Sequence, residues 1–222
     1  MQIFIRGLKA PATLSLFFTV RYNIVWYGGK MVNYPNGKKN SYHALASSAG
    51  GRGMALEKDI NETNSRYLEE DLAVIHKKPT PVTIVKVDYP SREHAKITEA
   101  YFKLPSTTDY NGIYRGRYVD FEAKECTLKT SFPLKSIHAH QIRHLDAVLR
   151  HGAIAFVIVR FTHLGITWFV PAEAMIRYVN ETTRSSIPVA WFEEHGVKIP
   201  FNYVKPVDYL KILDRLYFED RQ

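Results

Sequence analysis

The sequence predicts a mixed α/β domain, one central sheet flanked by helices. Three observations carry that prediction. Residues 153–161 are a nearly unbroken apolar run, the pattern of a strand buried on both faces. Residues 82–87 and 118–125 read as further strands. Two longer segments, 53–71 and 137–151, instead repeat their apolar residues near the 3.6-residue period of a helix. Strands and helices alternate loosely, with no internal repeat and no linker, which fits a single layered unit.

The elements follow in order. Helix 53–71 places Leu56, Ile60, Asn64 and Tyr67 or Leu68 near one face. Residues 73–76 form a short apolar strand, and Lys77-Lys78-Pro79-Thr80-Pro81 then breaks any regular element. Strand 82–87, a turn at 88–91 and an extended stretch at 100–104 come next. Lys86, Arg92, Lys96 and Lys103 lie on and between them. Such charges are either solvated or part of a protruding basic element that touches phosphate, and the residues leave both readings open. Asn111-Gly112 and Arg115-Gly116 both fit tight turns between strands. Helix 137–151 carries Ile142, Leu145 and Val148 or Leu149 along one face, and Gly152 stops it. A strand at 166–170, a short helix at 172–178 and a last helix at 206–216 complete the chain. Pro206 starts that last helix, with Tyr209, Ile212 and Leu216 on one side.

A chain of 222 residues, 45% hydrophobic, can bury a core without covalent staples. The single cysteine, Cys126, excludes an internal disulfide framework and a multi-cysteine zinc site, and points to a reducing compartment. The net charge of +8 favours an anionic partner, nucleic acid or a membrane surface, although a soluble protein can simply be basic. No apolar stretch approaches the roughly 20 residues that span a bilayer. Residues 1–30 read as an extension. Their apolar run, 12–20, superficially resembles a signal peptide, but Arg21 and Tyr22 follow it instead of a small-residue cleavage site. Translation is expected to start at Met31, because Tyr27-Gly28-Gly29-Lys30 can be encoded by a bacterial ribosome-binding sequence. The alternative is an ordinary N-terminal extension. Residues 31–52 read as a flexible, basic, Gly/Ser-rich arm that orders against a partner.

The chemistry is concentrated in Thr107-Thr108-Asp109 and Phe121-Glu122-Ala123-Lys124. Alternate strand residues share a face, so Glu122 and Lys124 point the same way. Asp109 precedes a hairpin-like turn that returns the chain beside Glu122. Two carboxylates and an ammonium then converge. Such a pair holds a hard cation such as magnesium, which polarises a phosphate and lowers the pKa of a bound water. A nearby lysine orients that water and offsets charge on the phosphorane. Glu-x-Lys on a strand is equally compatible with a solvated pair worth about 0–1 kcal/mol. Glu57 borders the buried face of the first helix, and Gln141 that of the second. His140 and His144, four apart, are either a metal pair or surface histidines, and Cys126 has no assigned base. No glycine-rich nucleotide-binding motif occurs.

These residues also carry a resemblance. The stretches 53–61, 73–81, 85–90, 105–112, 119–125 and 138–142 resemble the RecU family, and the likeness runs from about Met31 to near the C-terminus. RecU proteins are Holliday junction resolvases with a restriction-endonuclease-like PD-(D/E)XK fold. The resemblance implies one nuclease domain over 53–222, with a stalk at about 82–104. It implies Mg2+ surrounded by Thr107, Asp109, Glu122 and Gln141, with Lys124 stabilising the transition state and Glu57 completing the acidic cluster. Thr108 stands where the motif's name has proline. Arg52 in the arm, and Arg92 and Tyr101 on the stalk with Lys86 and Lys103, are implied to engage DNA. Four-way junction DNA and a homodimer are the implied partners, with a recombinase filament or branch-migration helicase as further ones. The implied location is the cytoplasm, at the nucleoid, with no membrane. Three other readings differ in class: a magnesium nuclease without junction selectivity, a non-catalytic DNA-binding module, and a membrane-associated protein resting on residues 1–30 alone.

Overall fold

The computed structural model describes residues 54–91, 94–103 and 107–219. The extension, the arm with Arg52, and Arg92 lie outside the described residues. Among the described residues ten strands and five α-helices follow one another: α1 (Met54–Glu69), β1 (Val74–Lys77), β2 (Val82–Asp88), β3 (Lys96–Phe102), β4 (Tyr110–Tyr114), β5 (Arg117–Cys126), β6 (Ser131–Pro133), α2 (Ala139–Arg150), β7 (Ile154–Phe161), β8 (Ile166–Pro171), α3 (Ala172–Glu181), β9 (Ser186–Pro188), α4 (Val189–His195), β10 (Val197–Ile199) and α5 (Leu210–Leu213).

Six strands form the central sheet in the order β1-β4-β5-β7-β8-β10. Only β5 and β7 run parallel; their crossover contains α2. The sheet is therefore mixed, with helices on both sides, as the sequence predicts. Strand alternation divides the core in two. Val119, Phe121, Ile154, Phe156 and Ile158 pack with α1 and α5. Ala155, Val157, Val159 and Phe161 pack with α2, α3 and α4. On the α1 side, Tyr110, Phe121, Phe156 and Phe169 stack from strand to strand, with centroids 4.8, 4.6 and 4.4 Å apart. On the other side, β5 breaks the apolar pattern with Asp120, Glu122 and Lys124. Beyond Asp120 this side is open, and the paired Val74 and Ile113 are exposed.

Asn111-Gly112 is not a turn. It lies inside β4, where a Cβ on Gly112 would sit 2.1 Å from the Val74 carbonyl oxygen of β1. The glycine is there for close strand approach. The tight turn is Arg115-Gly116, both at positive φ, joining Tyr114 to Arg117 as a two-residue hairpin loop. Arg115 is held in this conformation by Asp214 at 2.9 Å and by the ring of Phe218.

The last helix is shorter than predicted. Residues 206–209 do not join it, because α1 engages them: Thr63 accepts the Val207 N–H, Tyr67 donates to Asp208 and Tyr209 donates to Asn64. After α5 the chain continues as a π-helical turn, Asp214–Phe218. The three-residue strands β6, β9 and β10 and the helix α4 are additions to the predicted set. At the end of α2, Gly152 takes φ +83°, and Gly152 and Ala153 return their N–H groups to Leu149 and Val148, the predicted glycine stop.

The predicted stalk is the hairpin β2/β3, a separate two-stranded sheet in which every residue is exposed. Its second strand begins at Lys96, earlier than expected. Two rungs close its neck: Lys103 N–H donates to the Pro81 carbonyl at 2.9 Å, and Lys78 N–H to the Asp109 carbonyl at 2.7 Å. Among the described residues no helix is long and apolar enough to cross a membrane.

Candidate active site

The β4–β5 register pairs Tyr110 with Phe121, so Asp109, one residue before β4, arrives beside Glu122. Asp109 Oδ2 accepts the Ala123 N–H at 3.4 Å. Glu122 Oε1 receives Lys124 Nζ at 2.5 Å and Gln141 Nε2 at 2.6 Å. The period of two on β5 thus puts Glu122 and Lys124 on one face, and α2 lays Gln141 over them. Asp109, Lys124 and Gln141 border a cleft of about 470 Å³, whose other wall is the residue 77–81 segment at the foot of the hairpin.

Glu122 is fully buried, and its Oε2 has no hydrogen-bond partner. Burial raises its pKa from 4.5 to about 8; Lys124 pulls it down, while Asp109 pushes it further up. A buried carboxylate with a vacant oxygen, next to a second carboxylate, suits a hard divalent cation held by oxygen ligands. Thr107 also lines the cleft and can add a hydroxyl. Among the described residues no three His, Cys, Asp or Glu side chains group closely enough to hold a metal, so the fitting set is two carboxylates with neutral oxygens.

Two expected members sit differently from a simple ligand shell. Gln141 is buried, not solvent-facing, and its Oε1 accepts the His138 N–H at 2.9 Å while its Nε2 meets Glu122. In this arrangement it orients Glu122, and its amide must turn over to offer oxygen. Glu57 is ion-paired with Lys77, and among the described residues it makes no group of three with Asp109 and Glu122 that could hold a metal. Lys77 itself lines the cleft, so Glu57 bears on its rim.

The histidines divide. His144 Nε2 lies 3.2 Å from Asp120, His138 and His140 stack on one another, and His140 Nε2 is buried without a partner. Among the described residues neither His140 nor His144 belongs to a group of three side chains that could hold a metal. Cys126 is buried, which raises its thiol pKa, and it donates to the Ser131 carbonyl. It is not among the residues that line the cleft. On the hairpin, Tyr101 is exposed and bonds Glu99 at 2.8 Å; Lys86 pairs across from Glu99, and Lys103 is exposed.

Sequence reasoning missed Asp120. It is fully buried on the face of Glu122 and Lys124, and binds Lys78 at 2.8 Å, Tyr118 at 2.9 Å, His144 and Thr108. The period-two rule that found Glu122 also points to it.

Residues 51–215 match the family model RecU, recombination protein U. Among curated proteins, the Holliday junction resolvase RecU of Geobacillus kaustophilus (strain HTA426) is 50% identical over 196 residues, covering 84% of this chain and 98% of the relative. That of Lactococcus lactis subsp. cremoris (strain SK11) is 47% identical over 209 residues, with the same coverage. A solved structure of Archaeoglobus fulgidus Hjc, a Holliday junction resolvase, overlaps 66% of this chain and 96% of that one with a TM-score of 0.40 at 15% identity, too loose to carry an argument. With half its residues shared along nearly the whole length of such relatives, the chain belongs to the RecU family.

Proposed function

We propose that this chain is a Holliday junction resolvase, a magnesium-dependent endonuclease that acts on four-way junction DNA as a homodimer and opens it by paired symmetric nicks. The observation that carries the chemistry is the buried Glu122, its Oε2 vacant, beside Asp109 and Lys124. Asp109 and Glu122 hold the cation, with Thr107 offering a hydroxyl and Gln141 keeping Glu122 oriented. Magnesium bound there supplies a Lewis acid for the phosphate and a water of lowered pKa.

The chain's own groups do the rest. Lys124 places a positive charge on the face where the phosphate sits and offsets the charge that grows on the phosphorane. Lys77 and Lys78 also line the cleft, paired there with Glu57 and Asp120. The basic hairpin with Lys86, Tyr101 and Lys103 rises from the same wall, so shape and backbone charge select the junction. A four-way junction has two-fold symmetry, and a C2 dimer supplies two active sites related by that operator.

The test is cleavage of a labelled four-way junction in Mg2+ against a matching linear duplex, with binding measured in Ca2+. Wild type should nick the junction in symmetric pairs and spare the duplex. Lys124→Ala should lose about 10²–10³ in rate with binding retained. Equal cutting of both substrates would leave a general nuclease. Tight binding without cutting would leave a junction-binding module.

A further inference from the structure

Asp120 has no part in the chemistry above, yet it is the most heavily bonded carboxylate beside the cleft. Its Oδ1 accepts from the Thr108 hydroxyl, and its Oδ2 from Lys78 Nζ at 2.8 Å and Tyr118 OH at 2.9 Å, with His144 Nε2 at 3.2 Å. Lys78 Nζ also donates to Thr108 Oγ1 at 2.9 Å, while its backbone N–H holds the Asp109 carbonyl at 2.7 Å. Thr108 therefore sits in a closed triangle of bonds, buried, between Thr107 and Asp109.

These contacts act on both sides of the metal site. Thr108 is the middle residue of the segment that offers Thr107 and Asp109 to the cleft. His144 lies three residues beyond Gln141 on α2, so α2 touches β5 twice, at Glu122 through Gln141 and at Asp120 through His144. Neighbouring positions i and i+3 share a helix face, so one contact aligns the other.

We infer that Asp120, acting through Thr108, Lys78 and His144, is the positioning residue that sets Asp109 and Gln141 against Glu122 for metal binding. The inference rests on the metal-site reading above. Removing a residue that orients a metal ligand typically costs about 10–100-fold in metal affinity.

Thr108→Val keeps shape and removes the hydroxyl; Thr108→Ser keeps the hydroxyl. Mn2+ binding to the full chain without DNA, followed by electron paramagnetic resonance, is read beside the Mg2+ concentration for half-maximal junction cleavage. Thr108→Val should weaken both by about 10–100-fold, and Thr108→Ser should recover most of the loss. Asp120→Asn should move both in the same direction as Thr108→Val, with junction binding in Ca2+ kept. Wild-type Mn2+ affinity in Thr108→Val would overturn the inference, as would equal loss in the valine and serine variants. Asp109→Ala separates the layers. If it abolishes Mn2+ binding while Thr108→Val does not, only the positioning role falls. If it binds Mn2+ like wild type, the metal site itself is misassigned and both readings fall.

Discussion

Glu122 is a carboxyl kept out of water next to another carboxyl, and that makes its proton informative. Folded and metal-free, it titrates near 8; unfolded, near 4.5. Between those values the folded chain holds a proton that the unfolded chain has lost. Its contribution to stability is complete below 4.5 and disappears as pH rises through about 8. Glu122→Gln cannot ionise, so without metal its melting temperature should gain on wild type between pH 5 and pH 8. For a chain of this size about 1 kcal/mol shifts the melting point by ~2–4 °C. Parallel melting curves across that range would mean that Lys124 already holds the carboxylate ionised at pH 5. Glu122 and Lys124 were legible in the sequence because a strand has a strict period of two, and Asp109 because a hairpin returns the chain beside Glu122. Asp120 obeys the same period, but a charge on a strand reads by default as the wet face. The burial of Gln141 was not legible, because it depends on where α2 lies over β5.

At the scale of elements, long segments with a clear period were readable and short ones were not. The strand β7 and the helices α1 and α2 follow their patterns closely. The strands β6, β9 and β10 have three residues each, too few for any period to show. Asn-Gly misled because the same residue that permits a turn also permits two backbones to touch, and only the partner strand decides which. Gly112→Ala should therefore drive a methyl group against the backbone of β1 and cost at least ~2 kcal/mol, read as a drop in melting temperature or as insoluble protein. A neutral alanine would show that β1 can move away freely. Glu125 ties a different pair of elements. From the α1 side of β5, its Oε1 accepts the Leu56 N–H at 2.7 Å in the first turn of α1. Glu125→Ala should cost ~1–2 kcal/mol in urea unfolding, and Glu125→Gln, which keeps an acceptor, distinctly less.

For the whole molecule the division is between a packed sheet and an exposed basic hairpin. If the hairpin meets phosphate, its lysines contribute through counterion release. Lys86→Ala and Lys103→Ala should each reduce the slope of log K against log salt for junction binding by about 1, and leave the Mg2+ requirement for cleavage unchanged. An unchanged slope would remove those lysines from the DNA contact. Sedimentation at micromolar concentration should report two chains per particle, and a monomer that still makes paired nicks would contradict the symmetric scheme. The neck of the hairpin adjoins the cleft. Its only covalent routes into the domain pass through Lys78 on one leg and Thr107 to Asp109 on the other, and the rung between those legs is the Asp109 carbonyl itself. The Lys103–Pro81 rung takes any load on the hairpin tip first, and the Lys78–Asp109 rung beneath it passes what remains to the backbone of a residue that borders the cleft.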